Sequence, residues 1–177
     1  MIDETEVMEK YIILLLGVVD RPVPSELHLE KELFIITRVN PQAAKYITFE
    51  KHYYGPFSVE VKDLINNPFL YPGAFKVDKY GIRLTEKGKK AYKEIVKQNI
   101  NNPRFKQLLQ LLKMTRELYD KLTRDELLFL IYITYPEYAE KSKVYNELMR
   151  KKKAIAKELL NKGIITPERY KEIVEEN

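Results

Sequence analysis

The chain has 177 residues, 45% of them hydrophobic, and a formal net charge of +5 from 31 Lys and Arg against 26 Asp and Glu. That size and apolar share fit one domain, or a small domain with an appendage, and are sufficient for a real core. There is no cysteine and only two histidines, far apart in sequence, which excludes disulfides, thiolate chemistry and cysteine-containing zinc sites and argues against a His-rich metal site.

A reducing, cytoplasmic setting is expected. Abundant Lys, Glu, Ile and Tyr without Trp would suit a thermophile. The longest apolar run, Tyr11 to Val19, is shorter than the roughly 20 residues that span a bilayer, and it follows an acidic start at Asp3, Glu4, Glu6 and Glu9. It reads as a buried helix, and no membrane partner is expected.

The first helix is expected from Thr5 to Val19, with Val7, Tyr11, Leu14, Leu15 and Val18 turned inward and Ile12, Ile13 and Leu16 widening that stripe to nearly all round. Asp20-Arg-Pro-Val-Pro24 ends it, and Ser25 caps a second helix to Val39 with Leu29, Leu33, Phe34 and Ile36 inside. Tyr46 to Tyr54 is aromatic and β-branched and reads as loosely extended. Tyr54-Gly-Pro-Phe-Ser58 then reads as a turn whose Ser58 caps a third helix carrying Val61, Leu64 and Ile65.

After Asn66-Asn67-Pro68 and a linker with Pro72 and Gly73, a β-hairpin is expected over Ala74 to Asp78 and Tyr80 to Leu84, its tip around Asp78-Lys79-Tyr80-Gly81. It runs directly into a helix that Thr85 caps and whose Gly88 permits close packing on what lies beneath. That helix continues to Ile100, and Asn99 to Pro103 is the best internal boundary. Beyond it everything reads as helical: Pro103 to Leu122, Arg124 to Tyr135 behind a Thr123 cap, a long helix from Ser142 to Asn161, and a short last one starting at Thr166-Pro167. The core of the second of these, Leu127 to Ile133, is apolar on every side and must be enclosed.

The expected fold is mainly α with a small β-hairpin: a winged-helix-like domain over residues 1–100 and a helical extension over 101–177. A helix-rich chain in which one small hairpin leads into a Leu-Thr-x-x-Gly helix start has the usual look of a winged helix. Glu30-Lys-Glu-Leu-Phe34, Tyr53-Tyr-Gly-Pro-Phe-Ser58 and Gly81-Ile-Arg-Leu-Thr-Glu-Lys-Gly88 occur in that order. Over Tyr11 to Val96 this layout resembles the small prokaryotic proteins of the YwgA-like group, archaeal members included, and more distantly the SocA-like (Panacea) antitoxin domain. The resemblance implies a winged-helix-like fold and binding of either nucleic acid or a partner protein. It supplies no catalytic residue.

Charge distribution bears on the first of these. From Lys62 to Lys97 the chain carries nine Lys and Arg against four Asp and Glu, so the basic excess falls on the hairpin and the helix after it. This is the asymmetry of a surface that faces phosphates, and equally that of a lysine-rich solvated helix. Candidate contacts to duplex DNA are Lys62, Lys76, Lys79, Tyr80, Arg83, Lys87 and Lys90, a regulator-like assignment in which the hairpin contributes more than the third helix, whose Glu60 and Asp63 would face the polyanion. The alternative is an antitoxin-like or adaptor protein that binds a protein partner through the aromatic region Tyr46 to Phe57, with Tyr53, Tyr54 and Phe57 as anchors. As structure, the same aromatics pack the turn against the first two helices.

On the Ser142–Asn161 helix Arg150, Lys153 and Lys157 share a basic face, with Lys143 one two-turn step back, a face that could lie along phosphates and reads first as a solvated one. Leu111, Met114 and Leu118 form a second apolar stripe that a second subunit could cover, so a homodimer through the C-terminal helices is expected. No phosphate loop, His-Glu-x-x-His or nucleophile elbow occurs, and Ser25, Ser58 and Ser142 read as helix caps. Neither an enzymatic activity nor a cofactor is expected.

Overall fold

A computed structural model describes residues 3–176. In chain order it contains α1 (Glu4–Gly17), α2 (Glu26–Val39), a short α3 (Pro41–Ala44), strands β1 (Glu50–His52) and β2 (Gly55–Phe57), and α4 (Val59–Asn66). Strands β3 (Phe75–Asp78) and β4 (Gly81–Leu84) lead into α5 (Glu86–Asn99) and α6 (Pro103–Tyr119). There follow α7 (Arg124–Thr134), a 3-10 turn (Pro136–Ala139), α8 (Tyr145–Arg150), α9 (Lys152–Asn161) and α10 (Pro167–Glu175). The fold is mainly α, with two small antiparallel hairpins, β1–β2 and β3–β4.

Side-chain caps set most of the helix starts. The oxygens of Ser25, Ser58, Thr85 and Thr166 each accept a backbone N–H from the first turn of α2, α4, α5 and α10, and Thr123 forms a reciprocal capping box with Glu126 at α7. Ser142 likewise accepts from the N–H groups of Val144 and Tyr145 at 3.1 and 3.0 Å.

The chain divides into two compact units. The first holds residues up to Phe49 together with Ser58–Asp120, the second Glu50–Phe57 together with residues from Lys121 onward. The division thus falls at Asp120 and not near residue 100, because α6 adds Leu112 to the apolar core of the first unit. In that core α1 packs against α5, β4, α6 and α4, which accounts for its nearly all-round apolar pattern, and its Ile12, Ile13 and Leu15 belong to the same cluster as Leu29, Leu33 and Ile36 of α2. In the second unit Leu127, Leu128, Phe129, Ile131 and Tyr132 of α7 are buried, as a helix apolar on every side requires.

Two elements differ from the sequence reading. Gly55-Pro-Phe57, expected as part of a turn, is a strand, paired antiparallel with β1 in the register Glu50 to Phe57, Lys51 to Pro56 and His52 to Gly55. Gly55 has φ +85, which turns the chain tightly after Tyr54. The helix expected from Ser142 to Asn161 is broken at Lys151, so Arg150 ends α8 while Lys153 and Lys157 belong to α9. The single basic face of Arg150, Lys153 and Lys157 is therefore not formed.

Candidate nucleic-acid interface

The β3–β4 hairpin packs on α1, α2, α4 and α5, and it is extended by backbone pairing along its β4 edge. Val23, in the connector between α1 and α2, exchanges both backbone hydrogen bonds with Ile82 of β4 at 2.8 Å, leaving β3 as the outer edge. Gly81 sits at φ +116, and a Cβ there would lie 1.9 Å from the Val23 carbonyl oxygen, so only glycine lets β4 approach the connector. At the other end, a Cβ on Gly88 would lie 2.2 Å from the Ala74 carbonyl oxygen. The Thr85 hydroxyl donates to the Gly73 carbonyl at 2.5 Å and accepts from Gly88 N–H at 3.2 Å, tying α5 to the base of the hairpin.

The tip is closed by Asp78, whose Oδ1 accepts from Tyr80 N–H at 2.8 Å while Oδ2 lies 3.4 Å from Arg83 Nη1. Lys79 and Tyr80 project from it; Tyr80 is 64% exposed, with the Lys79 ammonium 5.0 Å from its ring centre. Lys76 and Arg83 are cross-strand partners on the hairpin face opposite Phe75, Val77, Ile82 and Leu84. Lys62 is exposed on α4; Lys87 and Lys90 are exposed on α5. The sequence reading grouped these residues by proximity along the chain. The structure separates them by direction: Lys76 and Arg83 line one cleft with Lys89 and Lys93, and Lys87 and Lys90 lie outside it.

That cleft has a volume of about 570 Å³ and is walled by the end of α1, the connector, β3–β4 and the first turns of α5. Arg21, Lys89, Lys93 and Tyr92 belong to it and were not among the candidate residues. Arg21 lies some sixty residues from the others, and the Val23–Ile82 pairing together with the Arg116 bond to its carbonyl brings it there.

Buried carboxylates hold the neighbouring segments. Glu9 of α1 has no exposed surface and accepts three backbone N–H groups from the loop after α4: Phe69 and Leu70 at 3.0 and 2.8 Å on Oε2, and Tyr71 at 2.7 Å on Oε1. Glu30 of α2 accepts the Ser58 N–H at 3.0 Å where α4 begins. Burial pushes the Glu30 carboxyl up to about 7, although the Ser58 bond and the Lys31 and Lys62 ammonium groups pull the other way.

Deeper in the unit, Arg116 of α6 is completely buried. It donates to the carbonyls of Leu15, Leu16 and Arg21 at 2.9, 3.3 and 2.7 Å, and to Asp120 Oδ2 at 2.8 Å. Arg116 thus receives carbonyls left over at the end of α1 and fixes the connector that carries Val23. Glu32 of α2 lies beside Asp120. Burial first, and then the Asp120 carboxylate, push it well above the ordinary carboxylate range. Both Glu32 oxygens and Asp120 Oδ1 are buried without a hydrogen-bond partner among the described residues.

In the second unit, the β1–β2 turn carries Tyr53 and Tyr54, 47% and 40% exposed. Lys143 lies 4.0 Å from the Tyr53 ring centre, Arg124 5.7 Å from that of Tyr54, and Lys51 ion-pairs with Glu140 at 2.8 Å. His52 packs between Tyr53 and Phe57, its ring centre 4.7 and 4.8 Å from theirs. These contacts engage the rings with cations of the same unit, Arg124 of α7 and Lys143 of the segment before α8. The sequence reading, which set the aromatics against the first two helices, did not foresee this packing. Of the expected dimer stripe on α6, Leu111 and Leu118 are half-buried and Met114 is 56% exposed.

Among the described residues no group of three or more His, Asp or Glu side chains could hold a metal ion, and no helix is long and apolar enough to cross a membrane. No protein-family model, curated protein or solved structure matches the chain.

Proposed function

We propose that the first unit is a winged-helix-like module that binds duplex DNA through the β3–β4 tip. The order of elements supports this reading: α1, the single bridge at Val23, α2, α4, then β3–β4, with Val23 taking the place of a third strand on the edge of β4. The observation that carries it is a hairpin held at its base by the Gly88 contact and along β4 as far as Gly81, beyond which only the two-residue turn of Lys79 and Tyr80 projects. The resemblance of the same segment to YwgA-like proteins agrees with it.

In this arrangement α4 is the helix beside the wing, and its outer surface presents Glu60, Lys62, Asp63 and Asn66. Two carboxylates there oppose close approach to phosphates, so the contact falls on the wing, with Lys62, Lys76, Arg83, Lys87 and Lys90 supplying a flanking positive field. Such a surface holds the backbone and reads little sequence. Binding is therefore sequence-tolerant and strongly salt-dependent.

The test is fluorescence anisotropy on a labelled duplex across a series of salt concentrations. The native protein binds at low salt with affinity falling steeply as salt rises, by a log–log slope of about 0.9 for each phosphate neutralised. Lys79→Glu combined with Tyr80→Ala weakens binding and flattens that slope. Absence of binding at low salt, or a double variant that binds like the parent, removes the reading.

A further inference from the structure

We infer that the cleft between the end of α1, the connector and α5 is a binding site for a free nucleotide, its base on the Tyr92 floor and its phosphates on the cationic rim. The inference does not depend on DNA binding by the hairpin tip, since neither Lys79 nor Tyr80 lines the cleft.

The two halves of the cleft differ in chemistry. Its floor is largely apolar: Leu16 and Leu84 line it together with the half-buried Tyr92, whose ring packs against α1 at Gly17. Gly17 is what permits this, because a Cβ there would come within 2.3 Å of Tyr92 Cδ2. The rim carries Arg21, Lys76, Arg83, Lys89 and Lys93 against two acids, Asp20 and Glu86. Three of these cations have partners: Arg21 with Asp120, Arg83 with Asp78 and Lys89 with Glu86. Lys76 and Lys93 make no ion pair among the described residues, and both are exposed. An excess of positive charge therefore faces a space of about 570 Å³, within the size range of small-ligand sites.

Alternative ligands each leave one half unused. An inorganic anion would leave the aromatic floor uncovered, and a fatty acid carries a single charge for Lys76 and Lys93, the two lysines of the rim without an ion pair among the described residues. A sugar phosphate has no flat face for Tyr92. A nucleotide polyphosphate meets both halves, with ring on ring at the floor and phosphates at the rim, and leaves Asp20 or Glu86 to accept from a ribose hydroxyl or a base amine.

The probe is a fluorescent adenine nucleotide, mant-ATP, titrated into the full chain, with adenosine and tripolyphosphate as competitors. Saturable binding is expected, displaced by ATP at least about tenfold more effectively than by either fragment, since each fragment uses one half of the site. Lys76→Glu with Lys93→Glu weakens mant-ATP by at least about tenfold. Lys87→Glu with Lys90→Glu, on the same helix but outside the cleft, leaves it unchanged. Both pairs are exposed, and circular dichroism confirms that each variant keeps its helices.

Absence of saturable binding overturns the inference, as does equal weakening by the two variant pairs. Tripolyphosphate competing as well as ATP also overturns it, since the floor would then contribute nothing. Because the DNA assay reads Lys79 and Tyr80, failure of one proposal is distinguishable from failure of the other.

Discussion

Glu9 offers the sharpest test of how the first unit is held together, because its carboxylate makes every contact with backbone. In Glu9→Gln the shape is kept but one oxygen becomes an amide nitrogen. If the remaining oxygen takes the place of Oε2, it keeps Phe69 and Leu70 N–H, and the new NH₂ group faces Tyr71 N–H across the 2.7 Å now spanned by a hydrogen bond. Donor then opposes donor. The flipped amide is worse, since it meets two donors. The better orientation loses one charge-assisted hydrogen bond and leaves one buried N–H without an acceptor, terms of about 1.5–3 and about 1–3 kcal/mol. Relief of a desolvated charge offsets part of that, so the expected destabilisation is about 2–4 kcal/mol. Urea denaturation measures the total, and amide hydrogen exchange locates it, with exchange at residues 69–71 faster by at least about tenfold. A loss below about 0.5 kcal/mol with unchanged exchange at those three amides would refute the account of Glu9 as the clamp on this loop.

Three further outcomes are expected. Because Glu30 is raised to about 7 in the fold, the folded state binds the proton more tightly than the unfolded chain, so its contribution is complete at low pH and is lost as pH rises through about 7. The upper limit of that loss is about 3 kcal/mol; Glu30→Gln, which keeps an acceptor for Ser58 N–H, flattens the decline in denaturation midpoints between about pH 5 and about pH 8. Arg116→Met strands three backbone carbonyls, leaves Asp120 only its Arg21 partner, and costs about 3–5 kcal/mol in chemical denaturation. Arg116→Lys restores only part of this, since an ammonium cannot reproduce the fork. Gly88→Ala forces a Cβ to 2.2 Å from the Ala74 carbonyl and costs about 3 kcal/mol or more in melting experiments. Gly163→Ala, at φ +73 with nothing within 4 Å of the new atom, costs only about 1–2 kcal/mol of backbone strain.

What the sequence disclosed depended on how local the cause was. Thr85 and Gly88 announced the hairpin-to-helix junction because capping and close approach act within one turn. Gly55-Pro-Phe57 misled because Gly-Pro favours turns, and nothing nearby shows that a two-stranded ribbon needs only one edge of Pro56 paired. The break at Lys151 was hidden because Arg150-Lys-Lys-Lys153 consists of good helix formers, so propensity gives no sign of it. Glu9 read only as part of an acidic start to the chain, since its partners lie about sixty residues away. The cleft was illegible for the same reason: Arg21, Lys76 and Lys93 share no local pattern.

The buried acids and Arg116 also explain why the exposed part of the hairpin has a defined position at all. Apolar burial alone would favour any arrangement that covers Ile82 and Leu84, because such contacts have little directionality. The polar ties are directional and sit at the joints. Arg116 fixes the connector bearing Val23, Glu30 fixes the start of α4, and Glu9 fixes the loop between α4 and β3. Each is a buried ionisable group whose desolvation costs stability, and each is satisfied only in one register of the segment it holds. Weakening any one of them should therefore disturb the placement of the hairpin tip before it unfolds the core. Joining Glu9→Gln to Lys79→Glu tests this: if Glu9 acts on DNA binding only by placing the tip, its effect shrinks once Lys79 has been reversed. Fully additive losses in the anisotropy assay would show that the clamp and the tip act independently.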